Sequence, residues 1–87
     1  MSTADLIRQR LTVLEPETLT LEDESAQHKG HAGAAGGGGH FRLTLVSPKF
    51  SNLNTLARHR LVYEAMGELM QREIHALSIT ALSPEEL

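Results

Sequence analysis

Six of the seven glycines in this chain fall between Ser25 and Gly39, four of them in the run Gly36-Gly37-Gly38-Gly39. Glycine loses more backbone freedom on ordering than any other residue, so no helix or strand is expected to cross such a stretch. The composition predicts a flexible loop over residues 25–39 that also carries His28 and His31. With 87 residues in all there is room for one domain and one core, so the segments before and after the loop must pack together.

Before the loop the pattern changes once. Leu6, Ile7, Leu11 and Leu14 recur at helical spacing, with Ser2 or Thr3 able to cap and Asp5 placed in the first turn. Pro16 stops that pattern, which predicts a helix over residues 3–14. Leu19 and Leu21 then alternate with Thr20 and Glu22, a half-buried strand over 18–24.

Alternation resumes after the loop. Phe41, Leu43 and Leu45 point one way and Arg42 and Thr44 the other, until Ser47-Pro48 ends the strand. Two neighbouring strands joined by a loop pair most simply as antiparallel. Residues 51–56 read as a short turn or helical piece, with Asn52 or Asn54 as a cap. The strongest helix follows: Leu61, Val62, Ala65, Met66, Leu69 and Met70 form one apolar stripe, and Glu68 and Arg72 an i,i+4 pair on the other side. Residues 74–82 form a last strand with His75, Leu77, Ile79 and Ala81 on one face, and Ser83-Pro84 leads to a tail at 85–87. A right-handed crossover through the long helix makes the last two strands parallel. The expectation is an α+β sandwich: a three-stranded mixed sheet with helices on one face.

The composition excludes several kinds of chemistry. There is no cysteine, hence no disulfide and no thiolate nucleophile or metal ligand. The formal net charge of −3 argues against a general nucleic-acid binder, whose affinity comes from neutralising phosphates. The glycine run lacks a following Lys-Ser/Thr and does not open a helix, so it is not a phosphate loop. No Ser-His-Asp pattern, HExxH or paired-carboxylate site stands out, so the expectation is a binding protein and not an enzyme. Met1 to Arg10 lacks the apolar run of a signal peptide, and nothing approaches the roughly 18 apolar residues of a membrane span, so a cytoplasmic location and no membrane partner are expected.

Taken by themselves, the histidines have ordinary readings. His75 suits the rim of a sheet, His28 and His31 suit solvent, and His40 suits a strand start more than a third ligand. Arg58-His59-Arg60 is a compact positive cluster at a helix start that could meet phosphate or an acidic partner, or else pair with carboxylates such as Glu64.

The stretch Arg58-His59-Arg60-Leu61-Val62-Tyr63, followed by Ile74-His75-Ala76-Leu77-Ser78-Ile79, resembles the signature of the BolA family. Asp23-Glu24-Ser25, His40-Phe41, Ser47-Pro48-Lys49-Phe50 and Ser83-Pro84-Glu85 extend the resemblance over nearly the whole chain. It implies a class II KH-like fold of order αββααβ. It also implies partnership with a monothiol glutaredoxin around a bridging [2Fe-2S] cluster, with glutathione supplied from the glutaredoxin side. In that family one ligand comes from the loop and one from the last strand, which correspond here to His28 (with His31 as the alternative) and His75. Some relatives carry Cys in the loop, so this chain resembles the histidine-type branch. Imidazole suits iron, but two imidazoles cannot hold such a cluster without outside thiolate, so tight binding by the isolated chain, a monomer or weak homodimer, is not expected.

The family also includes DNA-binding regulators linked to cell shape and stress response. For that role Arg58, Arg60, Lys49 and Arg42 are the candidate contacts. The Gly-x-x-Gly turn between two helices with which KH domains clamp nucleotides is missing: the Gly-x-x-Gly spacings of this chain all fall within 30–39, between the two expected strands.

Overall fold

The computed structural model describes residues 2–25 and 39–87. The first helix, α1 (Thr3–Leu11), is capped reciprocally: the Ser2 hydroxyl accepts from the Asp5 N–H, and the Asp5 carboxylate accepts from the Ser2 N–H. A tighter turn, Thr12–Leu14, prolongs it, and Glu15 ends it with φ at 50° ahead of Pro16. Ile7, Leu11 and Leu14 are buried along this path.

Strand β1 (Thr18–Asp23) pairs antiparallel with β2 (Gly39–Val46), from Thr18 opposite Val46 to Asp23 opposite Phe41. Phe41, Leu43 and Leu45 are buried, and Leu19 and Leu21 pack beside them. Gly39 belongs to β2 and not to a loop ending at 39. It donates its N–H to the Glu73 carbonyl at 2.8 Å. A Cβ there would lie 2.3 Å from Cε2 of Phe41, so the missing side chain is what lets the aromatic ring cover this backbone.

Ser47 fastens the far end of β2. It is fully buried, its N–H donates to the Leu82 carbonyl, and its hydroxyl donates to the Leu14 carbonyl while accepting from the Lys49 N–H. One side chain thus ties the end of α1 to the end of the sheet. A turn at Pro48–Phe50 follows, with Phe50 in the core.

Helix α2 (Thr55–Met66) is capped by Asn54, whose side-chain oxygen accepts from the Ala57 N–H at 2.8 Å. The expected long helix is broken: Gly67 takes φ of 58°, and a short helical turn, α3 (Leu69–Arg72), resumes after it. The apolar stripe survives the break, since Val62, Met66 and Leu69 are all buried. The expected Glu68–Arg72 pair gives way to another. Arg10 bonds the Glu68 carboxylate at 2.8 Å and the Met66 carbonyl at 3.3 Å, joining α1 to the break in the backbone.

Strand β3 (Ile74–Leu82) runs parallel to β2 and makes it the central strand, in the order β1-β2-β3. The register shifts once: Gly39 faces Ile74, but His40 faces Ala76. His75 is the extra residue of a β-bulge. The bulge overturns the expected single face of His75, Leu77, Ile79 and Ala81. Ile74 enters the core with Leu77, Ile79 and Ala81, and His75 is exposed.

The segment after Ser83 is a turn (Pro84–Glu86) and not a loose tail. Glu86 accepts from the Ser83 N–H and hydroxyl and from Arg58, and Glu85 accepts from the Ser51 hydroxyl at 2.6 Å.

Helices α1, α2 and α3 contribute to one buried cluster against one face of the sheet. The other face exposes Thr20, Glu22, Arg42, Ser78 and Thr80. This is the expected α+β arrangement of a three-stranded mixed sheet with helices. Among the described residues, no helix is long and apolar enough to cross a membrane.

Candidate functional site

The bulge decides what surrounds His75. Without it, strict alternation would turn the imidazole toward the core with Leu77 and Ile79. With it, Ile74 fills that place and the imidazole faces outward beside His40. The two ring centroids are 4.9 Å apart and the planes are tilted by 39°. His40 precedes the buried Phe41, so alternation places it on the open face of the sheet, where it is half-buried.

The same corner is where residues 26–38 leave and rejoin the described chain. The Asp23 carboxylate accepts from the Ser25 N–H at 2.9 Å, and hydrogen bonds from the Ser25 hydroxyl and then its N–H hold that carboxyl below its ordinary value. The Glu24 N–H donates to the His40 carbonyl at 2.7 Å, and the His40 N–H donates to the Ser25 hydroxyl at 3.0 Å. The turn Asp23-Glu24-Ser25 is therefore bonded to the backbone of His40 from both sides. His28 and His31 lie outside the described residues.

The donor set at this corner is nitrogen without sulfur. Imidazole is a borderline ligand suited to iron, and a [2Fe-2S] centre accepts it in place of thiolate on one iron. The chain has no cysteine, and among the described residues no group of three or more His, Cys, Asp or Glu comes together. The corner thus fits part of a ligand shell whose sulfur comes from another molecule.

The four basic candidates are not gathered into one patch. Arg42 lies on the open face and pairs with Glu24 at 3.3 Å, whereas α2, with Arg58 and Arg60, packs on the opposite face. Lys49 pairs with Glu15 at 3.2 Å. Arg58 bonds the Leu53 carbonyl, the Ala81 carbonyl and the Glu86 carboxylate, and its side chain is only 12% exposed. Its carboxylate partner is Glu86 and not Glu64. Arg60 is exposed.

The sequence placed His75 on the last strand and favoured His40 as a strand start over a third ligand, without showing that the two rings are neighbours. Parallel pairing of the two strands was the signal available. The bulge that sets the register was not visible in it.

Residues 11–86 match the family described as BolA-like protein. The chain is 45% identical over 76 residues to "Protein BOLA1, chloroplastic" of Arabidopsis thaliana, covering 84% of this chain and 48% of that protein. It is 32% identical over 87 residues to "DNA-binding transcriptional regulator BolA" of Haemophilus influenzae, covering 99% of this chain and 82% of that protein. Among solved structures, the BolA domain of SufE1 from Arabidopsis thaliana superposes with a TM-score of 0.85 at 38% identity, covering 100% of this chain and 98% of that one. The chain spans about half the length of several of the curated relatives it matches.

Proposed function

The chain belongs to the BolA-like protein family, and on that premise we propose that it is a non-enzymatic partner of a monothiol glutaredoxin, sharing a [2Fe-2S] cluster with it. His75 supplies one ligand, and His28 or His31 the second. Thiolate comes from the glutaredoxin and its glutathione, and the role is iron–sulfur trafficking or iron regulation in the cytoplasm. The observation that carries this reading is the bulge, which turns His75 out of the core at the corner where residues 26–38 begin and end. His75 is exposed and stands in a paired strand, which suits a ligand presented to a second protein. The absence of cysteine makes the sulfur-bearing partner a requirement.

The test is a titration of this protein into a monothiol glutaredoxin carrying the cluster and glutathione, followed by visible absorption and circular dichroism. A changed spectrum with a 1:1 heterodimer, altered in His75→Ala, supports the reading, and His28→Ala and His31→Ala then decide the second ligand. An unchanged spectrum with an intact glutaredoxin dimer rejects it.

A second reading, a DNA-binding regulator of cell shape or stress response, is favoured by the name of the Haemophilus influenzae relative, a DNA-binding transcriptional regulator. Arg60, Arg58, Lys49 and Arg42 would be its contacts, although three of these already pair with carboxylates. A mobility shift of a promoter fragment that persists at physiological salt would support it, and binding lost by then would be non-specific attraction.

A further inference from the structure

The geometry points to a second use of the same corner: His40 and His75 form a two-imidazole site for a single divalent cation of the zinc class, open to the chain without any partner. Zinc binds imidazole nitrogen at about 2.0–2.1 Å, which puts each ring centroid about 3.2 Å from the ion. Two such rings on one ion then have centroids about 4.5 Å apart at a right angle and about 5.2 Å apart at the tetrahedral angle. The 4.9 Å between His40 and His75 falls between these limits.

The pair is also held in place. His40 lies in the central strand, with its N–H on Ser25 and its carbonyl on Glu24. His75 is anchored between the buried Ile74 and the strand that continues from Ala76. Neither ring depends on a long side chain finding its position, because both are short side chains rooted in paired strands. Two carboxylates of this corner have partners of their own, Glu24 with Arg42 and Asp23 with Ser25. With two ligands among the described residues, the site is weaker than a three- or four-ligand structural zinc centre.

The inference does not depend on the cluster reading, because it needs neither glutaredoxin nor sulfur. The two share His75, so occupancy by the cation and by a cluster exclude each other.

The experiment is calorimetric titration of the full chain with Zn2+, with imidazole nitrogen resonances followed by NMR. One ion per chain is expected, with the resonances of His40 and His75 shifting together. Even an outer-shell partner of a metal ligand is commonly worth 10–100-fold in affinity, so His40→Gln and His75→Gln should each weaken binding by about ten-fold or more. His59→Ala, on α2, should not change it. Zn2+ bound as tightly by His40→Gln as by wild type, or wild-type shifts on His75 without His40, would overturn the inference. The wild-type shifts decide the matter even if a variant folds poorly, and neither outcome bears on the glutaredoxin titration.

Discussion

Arg58 donates through Nη1 to the carbonyl of Ala81 at 2.9 Å, closing a backbone acceptor on the outer edge of β3. The adjacent Leu82 carbonyl accepts from the Ser47 N–H on the β2 side, so the Ala81 carbonyl points away from the sheet. An unpaired strand edge invites pairing with other chains, and a guanidinium laid over it is one way to blunt it. The same guanidinium holds the Leu53 carbonyl at the entry to α2 and Glu86 after β3. A residue whose sequence setting suggests phosphate contact is here an internal brace.

Arg58→Ala is expected to destabilise the fold by about 2 kcal/mol, the range of hydrogen bonds to a charged group. Arg58→Lys should recover only part of that, because an ammonium cannot reproduce the fork of a guanidinium. Urea unfolding of the three proteins measures both. A loss under about 0.5 kcal/mol, typical of an exposed ion pair, would show that the brace carries little load.

Acid should loosen the C-terminal turn. Hydrogen bonds from the Ser83 N–H, then its hydroxyl, then Arg58 lower the Glu86 carboxyl from 4.5 to about 2. A depressed folded-state pKa means that the carboxylate's contribution is complete above about 4.5 and is lost as pH falls toward 2. Arg10 lowers the Glu68 carboxyl in the same direction. Glu86→Gln should therefore lower the thermal midpoint at pH 7 and match wild type near pH 2. Parallel wild-type and variant curves across that window would contradict the assignment.

Gly39→Ala should cost about 1–3 kcal/mol, the usual range for overpacking, because the new methyl meets the Phe41 ring at 2.3 Å. Chemical denaturation gives the size, and the NMR shifts of Phe41 should move with it. A neutral substitution would mean that the ring has another place to go.

Ser47→Ala should cost about 1–3 kcal/mol, because it strips the buried Leu14 carbonyl of its donor. Ser47→Thr keeps the hydroxyl but adds a methyl in a fully buried place, so it should be intermediate. Equal stability of wild type and Ser47→Ala in equilibrium unfolding would remove Ser47 as the tie between α1 and the sheet.

Much of this molecule was legible along the chain. The apolar spacing of Leu6 to Leu14, the alternation of Leu19 with Leu21 and of Phe41 with Leu45, and the Asn54 cap each rest on contacts within a few residues. Local periodicity reports such contacts directly. The limits of β3, Ile74–Leu82, were readable for the same reason. So was the need for a sulfur-bearing partner if a cluster is bound, which follows from having no cysteine.

The site was decided elsewhere. Strict alternation put His75 on the core face, and only the pairing of β3 with Gly39 and His40, residues from the far side of the chain, introduced the bulge that turned it outward. The same holds for Arg10 with Glu68 and for Arg58 with Ala81 and Glu86, each pair separated by more than 20 residues. Periodicity states which residues an element can bury. Register between distant segments states which of them meet, and that depends on how bulky groups such as Phe41 and Ile74 share one core. The sequence by itself therefore determined the elements and the chemistry available to them, while the tertiary structure decided that two histidines, 35 positions apart by their numbers, would stand side by side.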